Sequence, residues 1–408
     1  MVREQCDILI IGAGIAGLSA AKAAFEDNGL TIVLLEEKGP GSNNPSPLTF
    51  SDVIESHGLQ DCVKARYSSF AFHNYSGSIV RFIFNEYPLV VLDYRKACSK
   101  VFLQIQQRLG DHLRFVNKKA VAVSQRGKEV VVALEDGSEV GARILIDCSG
   151  KNRLVASQSP NNKTAYYSHV YGAVLRSRQA FDNETAFFLW PCKDFGTGGG
   201  WFYPLGDGRV SFGYASISTS TIADKAKLKE NFQNALQRFK PYADYLDHAK
   251  VESVESGTIP VTYARQLTHG QIIIAGDAAG MATSWTCMGI EPSLNYGSLA
   301  GRLAAAALLK NDNDILKKFQ VIWEEQNKIA FDAFAANAEM FWTDNRYFWE
   351  WIIKNDLAYL TPEKVLGRMR SNDFVPAKAT LLFRALRFKF LSLLNKGFLE
   401  PKTLIVKN

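Results

Sequence analysis

Three glycines near the N-terminus are the first residues whose types and spacing indicate chemistry. Gly12, Gly14 and Gly17 follow the apolar run 6–11 and precede a stretch rich in helix formers, 18–25. In that setting the first glycine allows a tight turn, the second lets backbone approach a pyrophosphate, and the third lets a helix pack closely on a strand. The N–H groups and the dipole of a helix N-terminus favour negative charge. The spacing therefore predicts a dinucleotide phosphate site.

A carboxylate follows at the separation that ribose recognition needs. The apolar run 31–35 predicts a second strand, which ends at Glu36. A carboxylate there can accept hydrogen bonds from both hydroxyls of an adenosine ribose. Glu37 takes this role if the register moves by one residue. Ile15 and Ala16, inside the glycine motif, belong to the same predicted binding loop.

Two later segments pair a predicted strand with a carboxylate and glycine. The run 140–147 predicts a strand that ends at Asp147, in the sequence Asp-Cys-Ser-Gly. The run 272–275 predicts another strand, which enters Gly276-Asp277-Ala-Ala-Gly and then a helix-like stretch. The glycine fingerprint alone does not separate NAD from FAD, and these two segments bear on that choice.

The three motifs together resemble the FAD-binding, glutathione-reductase-type fold of the aromatic hydroxylase class, over residues 1–310. The resemblance implies FAD as the cofactor. It also implies that Asp277 contacts the ribityl or pyrophosphate part, that Asp147 belongs to the cofactor site, and that Arg95, in Leu-Asp-Tyr-Arg, reaches the cofactor. The implied fold class is α/β, with a Rossmann-like FAD-binding domain interleaved with an antiparallel β-sheet substrate domain and followed by a helical C-terminal region.

An aromatic segment indicates the branch. The residues 199–204, Gly-Gly-Trp-Phe-Tyr-Pro, resemble the aromatic–proline strand motif of the geranylgeranyl reductase-like branch, which lines a lipid cavity. The resemblance implies that Trp201, Tyr203 and Pro204 contact substrate. Strand alternation puts Trp201 and Tyr203 on one face. The alternative is that these aromatic residues are only sheet core. The turn Gly-Asp-Gly that follows predicts a hairpin.

The segment 284–290 resembles the family loop whose backbone N–H groups face the flavin ring. Gly289 and Ile290 match that loop, whereas its usual proline, first glycine and glutamate are replaced. The replacements leave the substrate and reaction open, and they place the thiol of Cys287 beside the flavin. Cys287 either protonates a carbon, as a catalytic residue, or fills space as a small apolar side chain. Trp285 is a predicted substrate contact.

The resemblance implies an FAD-dependent oxidoreductase that reduces carbon–carbon double bonds of a lipophilic, polyprenyl-type substrate by hydride transfer from reduced flavin. Two alternatives stay open: a monooxygenase or halogenase that uses flavin hydroperoxide, and a non-redox cyclase similar to lycopene cyclases. No second glycine fingerprint with a following acid occurs. The predicted reductant is therefore NAD(P)H, bound transiently, or a separate electron-donor protein.

The expected domain organisation follows the motifs along the chain. We predict an FAD-binding domain over 1–165 with an inserted substrate-domain segment near 40–90, a β-rich substrate domain over 166–265, a returning FAD-binding segment over 266–310, and a helical C-terminal cap over 311–408.

Charge and cysteine content limit the remaining classes. The 408 residues include 47 Lys and Arg against 41 Asp and Glu, a net charge of +6 that is too small to indicate nucleic acid. Five of the bases, and no acid, lie within 378–399, which predicts a basic, apolar helix at a membrane surface or a docking face. The six dispersed cysteines indicate a reducing compartment and no metal site. We therefore expect a cytoplasmic protein, with or without peripheral membrane contact.

Overall fold

The structure is a computed structural model of the chain. It describes residues 4–407 except 26–28, 43–44, 75–76, 163–165, 180, 284–285, 343–349, 354–356, 371–385, 387–389 and 391–402.

The first sheet is the parallel sheet that the glycine motif predicts. Its buried strands are apolar throughout because helices or further strands cover both faces. In spatial order its main path is β17 (Thr268–His269), β18 (Ile272–Ile274), β11 (Glu139–Asp147), β1 (Glu4–Ile11), β2 (Ile32–Leu35) and β8 (Leu113–Val116), and β10 (Glu129–Leu134) and β9 (Ala120–Arg126) extend from β11. The strands β18, β11, β1, β2 and β8 run parallel, so their carboxyl ends meet at one edge.

The second sheet is mainly antiparallel and also has eight strands. In spatial order these are β16 (Lys250–Pro260), β12 (Tyr167–Arg176), β15 (Arg209–Ser218), β14 (Gly199–Gly206), β13 (Thr185–Leu189), β5 (Ser69–His73), β6 (Ile79–Ile83) and β19 (Thr403–Lys407). We call it the substrate sheet. Its outer face packs on two helices through an aromatic cluster that includes Phe202, Phe212 and Tyr242.

A small third sheet and eight helices complete the described elements. The third sheet comprises β3 (Leu48–Phe50), β7 (Leu89–Leu92) and β4 (Val63–Tyr67). The helices are α1 (Ile15–Ala24), α2 (Ser51–Ser56), α3 (Tyr94–Leu109), α4 (Lys225–Arg238), α5 (Lys240–Leu246), α6 (Ile290–Lys310), α7 (Lys318–Phe341) and α8 (Pro362–Met369). Helices α4 and α5 cover the outer face of the substrate sheet.

Helices α1 and α6 pack closely along their length, with the start of α6 extending beyond the start of α1. Ile290, the first residue of α6, lies seven residues before Gly297, which meets Ala16. A Cβ atom at Gly297 would lie 2.4 Å from the carbonyl oxygen of Ala16, and one at Gly301 would lie 2.1 Å from that of Ala20. Both distances are far below van der Waals contact, so only glycine permits this packing. The glycine loop and the start of α6 therefore share one crevice.

The predicted fold class is confirmed, and the hairpin is present. Strands β14 and β15 are joined at Asp207 and Gly208, whose φ angles of 53° and 68° are those of a type I′ turn. The expectation of helices throughout the C-terminal region is wrong at its end. Thr403–Lys407 forms a strand parallel to β6, because its alternating, partly β-branched residues suit an edge strand.

Candidate active site

The glycine loop is shaped by two steric constraints. Gly12 has a φ of 99°, and a Cβ there would lie 2.2 Å from the carbonyl oxygen of Cys148. A Cβ at Gly17 would lie 1.9 Å from the carbonyl oxygen of Gly12. Gly14 is the N-cap of α1, and no side chain caps this helix end. The first N–H groups of α1 are therefore free for an anionic ligand, apart from that of Ile15.

Glu36 lies against this loop. Its Oε2 accepts a hydrogen bond from the backbone N–H of Ala13 at 3.0 Å, and its Oε1 accepts one from the N–H of Lys38 at 3.1 Å. The side chain of Asn117 fixes the turn by donating to the carbonyl oxygens of Glu36 and Glu37. The Glu37 side chain is exposed. The structure therefore brings Glu36, and not the carboxylate of Glu37, to the glycine loop.

Asp277 is the carboxylate beside Gly289, which lies just before α6. It follows β18 in a short turn, Gly276–Ala279, and a Cβ at Gly289 would lie 3.2 Å from its Oδ1. Burial raises the pKa of Asp277 to about 6, opposed by the positive charge of Arg153. A Cβ at Gly276 would lie 2.8 Å from the Cβ of Ala16, so this turn contacts the glycine loop. Asp277 therefore sits where the two loops meet.

The start of α6 supplies a second uncapped helix end. Gly289 is its N-cap without a side-chain cap, and Ile290, its first residue, is buried. Free N–H groups at such an end attract electron-rich oxygen atoms of a ligand. The N-termini of α1 and α6 thus open into one crevice, an arrangement that fits an extended dinucleotide with a polar ring at one end.

Arg95 and Asp147 stand differently from the other predicted residues. Arg95 lies exposed in the first turn of α3. Its neighbour Tyr94 reaches the glycine loop instead, where its hydroxyl accepts a hydrogen bond from the N–H of Ile15 at 3.2 Å. Asp147 is fully buried, and its two oxygens accept hydrogen bonds from the N–H groups of Ser149 and Val155 at 2.9 and 2.8 Å. Asp147 therefore stabilises the loop that follows β11.

Cys287 faces the substrate sheet. Its backbone has a φ of 55°, and its N–H donates to the carbonyl oxygen of Thr283 at 2.8 Å. Burial raises the pKa of the Cys287 thiol to about 11, and the nearby hydroxyl of Ser168 opposes this shift. The thiol is therefore protonated at neutral pH. Burial raises the pKa of Tyr203, and the neighbouring Cys287 adds to this rise.

The inner face of the substrate sheet carries the predicted aromatic residues. Trp201 and Tyr203 lie on it, and Phe202 packs into the aromatic cluster on the opposite face. The carbonyl oxygen of Pro204 accepts a hydrogen bond from the hydroxyl of Tyr67 at 2.8 Å, which joins the sheet to β4. Trp285 lies outside the described residues. The structure therefore brings Tyr203 close to Cys287, and Trp201 lies on the same face of the sheet across Gly213 and Gly172.

Two polar residues of this face were missed by the sequence analysis. Ser211 accepts a hydrogen bond from the indole N–H of Trp201 at 2.8 Å and is 2.6 Å from Oε2 of Glu255. Glu255 is only 6% exposed, and burial raises its pKa. The sequence shows only that Glu252 and Glu255 lie close together in one β-rich run. The pairing of four strands is needed to show that Glu255 is on the inner face, whereas Glu252 is exposed.

The fold and this crevice define the protein as an enzyme of the FAD-dependent oxidoreductase class. The family described as "Lycopene cyclase protein" matches residues 7–349, and the chain belongs to that family. The predicted resemblance to geranylgeranyl reductase-like proteins is also confirmed.

Individual relatives differ in what they are named for. Digeranylgeranylglycerophospholipid reductase 2 of Methanopyrus kandleri is 27% identical over 340 residues, which cover 79% of this chain and 83% of the relative. A geranylgeranyl bacteriochlorophyll reductase-like protein of Thermoplasma acidophilum superposes with a TM-score of 0.67 and 17% identity, over 97% of this chain and 100% of that one. A flavin-dependent brominase superposes with a TM-score of 0.69 and 13% identity, over 95% and 100%. The two structural likenesses concern the fold alone.

Across the described residues, no helix is both long and apolar enough to cross a membrane. Within the same residues, no three His, Cys, Asp or Glu side chains group as metal ligands would.

Proposed function

We propose that the protein reduces carbon–carbon double bonds of a polyprenyl lipid. The observation that carries the proposal is the meeting of two surfaces. The loop that holds Cys287 and Gly289, at the start of α6, lies beside Ser168 and Tyr203 of the substrate sheet, and Trp201 is on the strand of Tyr203. A long apolar substrate needs such an aromatic wall beside the reacting ring of the cofactor. The polyprenyl class comes from the reductase relative in Methanopyrus kandleri.

The cofactor would be held by residues from both walls of the crevice. The loop Gly12–Gly17 with the start of α1 would bind the pyrophosphate, and Glu36 would accept hydrogen bonds from the ribose. Asp277 would contact the ribityl or pyrophosphate part, and the N–H groups near Gly289 and Ile290 would face the ring. The two uncapped helix ends and the buried carboxylate between them support this arrangement.

Asp147 and Arg95 are less well placed than the other predicted residues to contact the cofactor. Asp147 is fully buried with both oxygens engaged in its own loop, whereas Glu36, whose oxygens also accept backbone hydrogen bonds, is only half-buried. Asp147 would therefore position Ser149 to Val155 and not touch the cofactor. Tyr94, whose hydroxyl is already at the N–H of Ile15, is better placed than Arg95 to contact the pyrophosphate. Arg95 remains a candidate for the outer edge of that group, since α3 begins at Tyr94.

When bound and reduced, FAD supplies two electrons and one hydrogen to the alkene. The chain provides orientation and a dry space, because Trp201, Tyr203 and the buried Ser211 surround the reacting region with few exposed groups. The donor that reduces the cofactor would be NAD(P)H or a separate electron-donor protein.

Non-redox cyclisation is the second candidate, and the match to the lycopene cyclase family favours it. The same aromatic wall would then hold a polyene while an acid protonates it. Oxygenation or halogenation is the third, and only the shared fold of the brominase favours it.

One anaerobic experiment separates these candidates. The protein is photoreduced without oxygen and mixed with a digeranylgeranyl phospholipid in detergent, and a parallel sample with lipid then receives oxygen. We expect the lipid to restore oxidised-flavin absorbance and to gain two hydrogen atoms in mass. A lipid of unchanged mass that has gained a ring would indicate cyclisation. Reoxidation by oxygen alone, with an oxygenated lipid product, would indicate a monooxygenase.

We also propose that the basic segment 378–399 brings the protein to anionic membranes. Within it the structure describes only Leu386 and Phe390, which are helical and exposed, and the rest lies outside the described residues. Each base near an anionic surface is worth about 1 kcal/mol. Changing Lys378, Arg384, Arg387, Lys389 and Lys396 to Gln should abolish sedimentation with anionic liposomes and leave flavin content unchanged. Equal sedimentation of both proteins would exclude this role.

A further inference from the structure

A row of four residues crosses the inner face of the substrate sheet. The strand register pairs Trp201 with Gly213, Gly213 with Gly172, and Gly172 with Glu255. A Cβ at Gly213 would lie 2.5 Å from the indole of Trp201, and one at Gly172 would lie 2.6 Å from it. The indole therefore lies flat across two strands, which is possible only because both positions are glycine. Its far edge points along the row towards Glu255.

Hydrogen bonds continue this row to the carboxyl group. The indole N–H of Trp201 can only donate, and it donates to the hydroxyl of Ser211 at 2.8 Å. The single hydrogen of that hydroxyl is then free for Oε2 of Glu255, 2.6 Å away. Oε2 is thus an acceptor, and Ser46 is another polar neighbour of the carboxyl.

The surroundings of the carboxyl belong to the space between sheet and crevice. Ser46, in the loop that follows β2, lies beside the carboxyl, and Lys64 on β4 is the cation in range. Tyr203 is within electrostatic range of both Glu255 and Cys287, and burial raises the pKa of its phenol. Desolvation is the largest effect on Glu255 and raises its pKa, while Ser211, Ser46 and Lys64 oppose it. A buried carboxyl whose pKa is raised keeps its proton at higher pH than an exposed glutamate does, which suits a proton donor.

We propose that Glu255 is the proton donor of the active site, facing the lipid from the substrate sheet and protonating one carbon of its double bond. This inference rests on the proposed reduction. Cys287 then serves as a small neutral side chain beside the cofactor.

The step balances as follows for one double bond. The π bond breaks as one carbon receives a hydrogen with both electrons of its new bond, supplied from the reduced cofactor, which is thereby oxidised. The other carbon forms its new C–H bond with the proton of Glu255, whose O–H bond breaks to leave a carboxylate. Water returns the proton to Glu255, and NAD(P)H or a reduced electron-carrier protein returns the two electrons.

Glu255→Gln tests the proposal, because it removes the proton and keeps the size of the side chain. The matched control is Glu252→Gln, on the same strand, where an exposed glutamate pairs with Arg176. We expect Glu255→Gln to bind FAD and photoreduce normally but to lose roughly 100-fold or more in lipid-dependent reoxidation rate, the usual contribution of a general acid. Glu252→Gln should keep the wild-type rate. Wild-type rates in Glu255→Gln would overturn the proposal.

Infrared difference spectroscopy gives a readout that does not depend on turnover. At neutral pH, the oxidised protein should show a protonated-carboxyl C=O band that is absent in Glu255→Gln and present in Glu252→Gln. Ser211→Ala should shift this band without removing it, which also covers the case in which Glu255→Gln does not fold. A band identical in all four proteins would overturn the proposal. Failure of the lipid to reoxidise the wild-type flavin would refute the reduction itself, while the infrared band would still decide whether Glu255 holds the proton.

Discussion

The glycine loop and the inner face of the substrate sheet lie on opposite sides of one crevice but are built in different ways. Gly12, Gly17 and Glu36 fall within one short βαβ segment and act through backbone geometry. The opposite face takes Trp201, Ser211 and Glu255 from three strands and Cys287 from a loop. The first region tolerates almost no added atoms, whereas the second depends on which side chains meet. Substitutions should therefore separate cofactor binding from chemistry.

The largest effect is expected at Gly17. In Gly17→Ala the new Cβ would lie 1.9 Å from the carbonyl oxygen of Gly12, so the loop must shift. Overpacking of this kind costs about 1–3 kcal/mol, and the shifted N–H groups should bind FAD poorly. We expect colourless protein with a lower melting temperature. Gly367→Ala is the control, because nothing lies within 4 Å of the added Cβ in α8 and alanine favours helix. If Gly17→Ala kept its flavin, the loop would be able to adapt to the added atom, contrary to this prediction.

Asp277 should give the next largest effect, on the apoprotein. Its folded pKa of about 6 lies above the usual aspartate value of 3.8, so the folded state binds more protons between these values. Stability should accordingly fall as pH rises through this window, by about 3 kcal/mol, and stay constant above it. Asp277→Asn should remove this pH dependence of stability and stabilise the apoprotein at pH 7. It should also weaken the binding of FAD. Urea unfolding of apoprotein at several pH values measures the difference, and parallel curves for both proteins would contradict it.

Glu36 tests, on the cofactor side of the crevice, which carboxylate recognises the ribose. Glu36→Gln removes the charged acceptor proposed for the ribose, and a hydrogen bond to a charged group is worth about 1.5–3 kcal/mol. The Kd for FAD, measured by flavin fluorescence, should rise by roughly 10- to 100-fold. Glu37→Gln changes an exposed neighbour and should leave the Kd unaffected. If the two variants behaved alike, the ribose would be recognised elsewhere.

The smallest effect is expected at Cys287. A protonated thiol with a pKa of about 11 is a poor acid near neutral pH. Cys287→Ala should therefore keep lipid-dependent reoxidation within about twofold of wild type, far less than the loss of a general acid would cause. Alkylation of the wild-type thiol should still accelerate above pH 9. A large rate loss in Cys287→Ala would return the acid role to this residue and remove it from Glu255.

The sequence predicted the cofactor side because its signals are local. Strand, glycine turn, helix and acid occur in order within 36 residues, and the structure has β1, α1 and β2 at those places. Trp201 and Tyr203 were also assigned to one face, since alternation is a property of a single strand. Glu255 was not found, because its neighbours Ser211 and Trp201 are 44 residues away or more in the chain. Tyr94 was missed for a related reason: its contact with Ile15 spans 79 residues.

The tight contact between α1 and α6 also fixes the distance between their N-termini, and therefore the length of a ligand that can reach both. With Ala16 held against Gly297 and Ala20 against Gly301, neither helix can slide or separate without losing that fit. The two anion-attracting helix ends consequently stay a set distance apart whether or not a ligand is bound. A flavin mononucleotide, which lacks the AMP half, would reach the end at α1 with a single phosphate only and would leave Glu36 unused. The pocket should therefore discriminate between flavins by reach, through two glycines that touch neither of them.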